Sequence, residues 1–158
     1  MKIATAAYPL DVLTSWAQYE DKLAHWVAEA AVQGADLLVF PEYAAMELAT
    51  LDGAEVAADL ERSLFSVSDK LEEADRLHMK LATEHNVHIV AGSGPAATES
   101  RPVNRARLIT PTGQVRVQDK QIMTRFEREE WGVIGGNALQ VFETAIGKIG
   151  ILICYDSE

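Results

Sequence analysis

The stretch Leu37-Leu38-Val39-Phe40 constrains this chain most, because it is apolar at every position and stops abruptly at Pro41-Glu42. A strand with no polar alternate positions has no face to offer water, so it must be covered on both sides. The expected strand runs from Asp36 to Phe40. The segment before it supplies one cover. Thr14 or Ser15 can cap a helix running to about Gln33, and Gly34 is a natural stop. Trp16, Tyr19, Leu23, Trp26, Val27 and Ala30 recur at helical spacing, so one face of that helix packs on a sheet. Lys2 to Ala7 reads as an earlier buried strand, ended by Pro9. Strand, helix, apolar strand predicts an α/β layer.

Further along, Leu51 to Phe65 is rich in alanine and acids and reads as a helix or helical loop. Ser68 or Asp69 can cap a second long helix over roughly Lys70 to His85, with Asn86 at its C-terminal end. Val87 to Ala91 is a third buried strand, closed by Gly92-Ser93-Gly94-Pro95. Asn104 to Ile109 and Gln114 to Gln118 flank Thr110-Pro111-Thr112-Gly113 and predict an antiparallel hairpin. Phe126 to Asn137 reads as a polar loop. Leu139 to Phe142 and Lys148 to Ile153 predict a second hairpin. Residues 1–158 together read as a single domain, one mixed sheet with helices on one face.

Composition excludes several functions. The net charge of −10 argues against tracking a nucleic-acid backbone or binding an anionic membrane. One cysteine cannot form an internal disulfide, and the mixed N-terminus lacks the apolar region of a signal peptide, so a cytoplasmic protein is expected. His85 and His88 straddle a helix end and a strand start without a third ligand, so no metal site is expected. Gly92-Ser93-Gly94 is no phosphate loop, because no Gly-Lys-Ser/Thr follows it.

Three chemically capable sites close strand-like runs. Cys154 ends Gly150-Ile151-Leu152-Ile153, Glu42 ends the first apolar run, and Asp119-Lys120 end the first hairpin. A lone cysteine in an apolar strand is commonly inert core. A thiol on a turn at a strand end, however, has backbone N–H groups nearby for an oxyanion. A carboxylate at the same sheet edge can act as a base, and an ammonium can favour the thiolate. Lys120 can equally form a surface pair with Asp119. In the charged run Glu127-Arg128-Glu129-Glu130, mostly a solvated face, Glu127 is favoured over Glu129 as a second acid/base or as the partner of Lys120.

Taken together, Leu38-Val39-Phe40-Pro41-Glu42, Asp119-Lys120-Gln121 and Gly150-Ile151-Leu152-Ile153-Cys154-Tyr155-Asp156 resemble the nitrilase, or carbon–nitrogen hydrolase, superfamily. The resemblance implies an α-β-β-α sandwich. It implies hydrolysis of a non-peptide carbon–nitrogen bond in a small-molecule amide, carbamoyl compound or nitrile, with amide favoured on the breadth of that class. Glu42 would be the general base, Lys120 the oxyanion stabiliser, Cys154 the nucleophile, Glu127 the second active-site glutamate, and the Tyr155 N–H a further oxyanion donor. No cofactor is implied, and a homodimer or larger homo-oligomer is expected. Family members continue beyond this point, so the chain is expected to be an N-terminal part, cut after the nucleophile turn and prone to association through uncovered apolar surface. The alternative is a non-catalytic binding or assembly subunit of the same fold.

Overall fold

A computed structural model describes residues 1–158. Helix α1 (Trp16–Val32) is capped by Ser15, whose hydroxyl accepts from the Gln18 N–H at 3.3 Å, and Gly34 takes a left-handed φ of 79° just beyond its end. Around it the first sheet has the order β1 (Ile3–Thr5), β2 (Leu37–Val39), β3 (His88–Ala96), β4 (Val103–Ile109), β5 (Val115–Asp119). The first three strands are parallel and the last two antiparallel. The mixed sheet and the first hairpin agree with the sequence. Strand β1, however, lies at the sheet edge with Ile3 exposed and is not buried.

The apolar strands are covered on both faces, as their composition demands. Leu38, Ile89, Ala91 and Ile109 join Leu23 and Val27 of α1, and Leu77 and Leu81 of a second helix, in one large core. On the opposite face Leu37, Val90 and Leu108 meet Phe142, with Ile149 packed beside them. Phe142 belongs to a separate two-stranded sheet, β6 (Val141–Thr144) and β7 (Gly147–Gly150). This corrects the expectation of a single sheet. The second hairpin shows a period-two pattern with Phe142 as its one buried residue, and it satisfies that face by lying across the first sheet. No helix is long and apolar enough to cross a membrane.

The second helix differs most from expectation. Leu51 to Phe65, read as a helix or helical loop, is helical but interrupted. It divides into the end of a 3-10 stretch (Ala44–Asp52), the short α2 (Ala54–Ala58) and the start of α3 (Leu60–His85). Asp59 caps α3 by accepting from the Arg62 N–H at 2.8 Å. Ser68 lies inside the helix and instead accepts from the Ala97 N–H at 2.8 Å, so neither Ser68 nor Asp69 is a cap. At the other end Asn86 is left-handed, as its type allows.

Strand β3 also runs past Gly92 to Ala96, with a bulge between Ala91 and Gly94. Its glycines serve close approach and do not end the strand. A Cβ on Gly92 would stand 2.3 Å from the Ala44 Cβ and 3.1 Å from the Pro41 carbonyl oxygen. The same is true of Gly94, whose Cβ would lie 2.7 Å from that of Ala45. The 3-10 stretch therefore lies directly on bare backbone, and this fixes where Glu42 and Tyr43 emerge.

Gly92→Ala is expected to destabilise the fold by about 1–3 kcal/mol through overpacking against Ala44. Gly113→Ala, at an open left-handed turn, should lose only the strain of its φ, about 1–2 kcal/mol. Urea denaturation of the two variants checks the comparison, and Gly92→Ala alone should disturb the groups around Glu42.

Candidate active site

Lys120 follows β5 directly and its side chain is completely buried. A buried ammonium needs partners, and it has two. Its Nζ lies 2.6 Å from Glu42 Oε1 and 2.8 Å from Glu127 Oε2. Burial alone would lower its pKa. The hydrogen bonds to Glu127 and Glu42 outweigh that effect and raise it, so Lys120 stays charged. Asp119 does not pair with Lys120 at the surface as one reading allowed. It is buried and takes Arg105 at 2.6 and 3.1 Å together with the backbone and side-chain N–H groups of Asn137.

Glu127 sits in a π-helical turn, Glu127–Trp131, within the stretch expected to be loop. Its carboxylate accepts from Tyr43 Oη at 2.6 Å and from the Thr124 N–H at 2.8 Å as well as from Lys120. Burial pushes its pKa up, but the bonds from Lys120, Tyr43 and Thr124 hold it below the usual carboxylate range. Glu129 is elsewhere, paired with Arg125 at 2.7 Å on an exposed face.

Cys154 is exposed and opens a 3-10 turn, Cys154–Ser157, in a left-handed conformation with φ 51°. The regular strand ends at Gly150, so the thiol is not carried on a buried strand tip but on the turn after it. Cys154 and Glu42 line one small cleft of about 120 Å³, walled by Val39, Val90, Ala106 and Ile151. Desolvation against that wall pushes the thiol pKa up. The Glu42 charge adds to the rise, while Lys120 and the Tyr155 N–H work against it. Glu42 and Cys154 thus face each other across one cleft, with the Lys120 charge close enough to act on the thiol.

The structure therefore brings Glu42, Lys120, Glu127, Cys154 and the Tyr155 backbone to one place. Sequence reasoning missed three others there. Tyr43 holds Glu127 from a left-handed backbone at φ 57°, with its N–H given to Ser93 Oγ at 3.0 Å. Asn104 of β4 donates to Glu42 Oε1 at 3.0 Å. Asp156 fastens the cysteine turn to the segment after Lys120, accepting from the Gln121 and Ile122 N–H groups at 2.9 Å each. The left-handed Tyr43 and the acid two residues after Cys154 carry no signal a single sequence makes readable. No three His, Cys, Asp or Glu side chains converge as a metal site would require. His78, fully buried with its pKa pushed down to about 4, is a neutral core residue that donates to the Ala74 carbonyl at 2.7 Å.

The depressed pKa of Glu127 gives a testable pH dependence. Its contribution is fully present above the ordinary carboxylate value of 4.5 and is lost as pH falls through the lower folded value. Glu127→Gln is expected to cost about 1.5–3 kcal/mol at pH 7, because a charged hydrogen bond to buried Lys120 is lost. The gap from wild type should narrow with acidification below pH 4.5, as measured by denaturation at several pH values.

The carbon–nitrogen hydrolase family matches residues 2–158. A probable hydrolase, YhcX, from Bacillus subtilis is 30% identical over all of this chain, which spans 30% of that protein. Nitrilase 3 from Arabidopsis thaliana is 31% identical over 87% of the chain and 42% of its own length. An amidase from Nesterenkonia sp. shares the fold with a TM-score of 0.68 at 24% identity, covering 98% of this chain and 56% of that one. The chain thus spans from about a third to just over half of these relatives. Over that span, sequence and fold agree: the chain belongs to the carbon–nitrogen hydrolase family.

Proposed function

We propose that this protein hydrolyses small amides through a thioester on Cys154. The observation that carries this reading is that one carboxylate, Glu42, stands beside both the only thiol and a buried ammonium. In this scheme Glu42 takes the thiol proton, and Sγ attacks the carbonyl carbon. The C=O electron pair moves to oxygen, where Lys120 and the Tyr155 N–H stabilise it. Collapse expels ammonia or an amine, with the proton returned by Glu42. A water that loses its proton to Glu42 then attacks the thioester. The second collapse expels the thiolate, which regains that proton. Glu127 holds Lys120 in place and balances its charge.

The cleft is small and apolar-walled, which suits a short uncharged acyl group over a charged one. The Nesterenkonia amidase supports amide as the substrate class, since a mutant of it lacking the cysteine was obtained in complex with butyramide. Nitriles are the alternative within the same chemistry, favoured by the similarity to Nitrilase 3. Assembly of copies of the protein and a reducing cytoplasmic setting belong to the same reading. Exposed Leu139, Val141 and Leu152 offer apolar contact surface, and the thiol must stay free.

A panel of short aliphatic amides, with ammonia release as the readout, tests the proposal. Cys154→Ala should lose all turnover. Glu42→Gln should lower kcat by about 10²–10⁴-fold. Rapid acid quenching followed by mass spectrometry should find an acyl adduct on Cys154. Wild-type protein that neither releases ammonia nor forms an adduct with any amide or nitrile would overturn the proposal and favour a binding subunit.

A further inference from the structure

The least economical side chain in the site is Asn104. It is fully buried in β4, and its Oδ1 has no hydrogen-bond partner. Its Nδ2 donates to Glu42 Oε1 at 3.0 Å and more weakly to Glu127 Oε1 at 3.4 Å. The two carboxylates fix the amide this way round, because the flipped orientation would aim the Oδ1 lone pairs at both of them. The orphaned acceptor is the consequence, and a buried unpaired acceptor is destabilising. Leucine would fill the same space without it. Aspartate would place a third negative charge beside two carboxylates that already share one ammonium. Asparagine supplies an N–H there without adding charge.

Glu42 shows what that N–H does. Its Oε1 receives both Lys120 Nζ, at 2.6 Å, and Asn104 Nδ2, whereas its Oε2 receives no N–H from the protein. We propose that Asn104 is a positioning residue that locks Glu42 by one oxygen, so that the other, Oε2, is the oxygen that exchanges protons with Cys154 and with the hydrolytic water. This rests on the reading of Glu42 as the base. Lys120 alone is a single donor about which the carboxylate could swing. The second donor, on a rigid strand in the middle of the sheet, removes that freedom.

Asn104→Leu tests the proposal, with short aliphatic amides as substrates. The expected result is a fall in kcat of about 100-fold with KM held within about twofold, since the bound amide keeps its pocket while the base loses its aim. The urea midpoint should change little, because removing the orphaned acceptor offsets part of what the lost Nδ2 hydrogen bonds contributed. Asn104→Ser leaves room for a hydroxyl or a water to donate, and it should recover part of kcat relative to Asn104→Leu. A kcat within about twofold of wild type in Asn104→Leu, beside an inactive Glu42→Gln, overturns the positioning role and leaves Glu42 as base. A loss of kcat that tracks a falling urea midpoint in both Asn104 variants also overturns it, because packing alone then explains the loss. Full activity in Glu42→Gln, or none in wild type, overturns the reading of Glu42 and the positioning role with it.

Discussion

Everything in the site depends on taking one ammonium out of water. A fully buried lysine is unfavourable unless its charge is matched and its hydrogens are used, and removing one partner from such a pair is far more damaging than removing both. Lys120 therefore obliges the fold to deliver Glu42 from the end of β2 and Glu127 from the π-helical turn to within 2.6 and 2.8 Å of a point beside β5. These groups are separated by 78 and 7 residues in the chain. Each is then held by its own neighbours, Asn104 on Glu42 and Tyr43 and Thr124 on Glu127. The network leaves two carboxylates against one cation, and this excess negative charge is what the exposed thiol of Cys154 meets.

That meeting requires unusual backbone at both ends. Tyr43 and Cys154 are left-handed although neither is glycine, a conformation that persists only where surrounding contacts enforce it. For Tyr43 the enforcing contacts are Ser93 and Glu127, and beneath it the bare backbone of Gly92, on which Pro41 and Ala44 rest. For the cysteine turn the contact is Asp156, which accepts N–H groups from Ile153 on its own side and from Gln121 and Ile122 on the lysine side. One carboxylate thereby couples the position of the thiol to the position of the ammonium.

Much of this was legible in the sequence, for identifiable reasons. Helix α1 carries both caps and a clean apolar stripe, so its ends and its buried face could be read directly. The apolar runs announced a sheet covered twice, and Glu42, Lys120 and Cys154 stood out because each follows such a run. What was hidden is tertiary. Gly92 and Gly94 resemble a strand end in sequence but mark a place where another backbone presses on the sheet. The start of α3 was obscured because Asp59 caps it inside a stretch that already scans as helical. The pattern around Phe142 predicts a hairpin without saying that it docks on the opposite face. Asn104 looks like an ordinary hairpin residue until both carboxylates are seen beside it.

The Cys154 thiol is raised first by desolvation and then tuned by the opposing charges of Glu42 and Lys120. The rate of iodoacetamide alkylation of Cys154 as a function of pH measures this directly, because only the thiolate reacts. The wild-type inflection is expected above that of a free thiol. The inflection should move down in Glu42→Gln, where the repelling carboxylate is removed, and up in Lys120→Met, where the attracting ammonium is removed. A wild-type inflection at or below that of a free thiol, unmoved by either substitution, would contradict it.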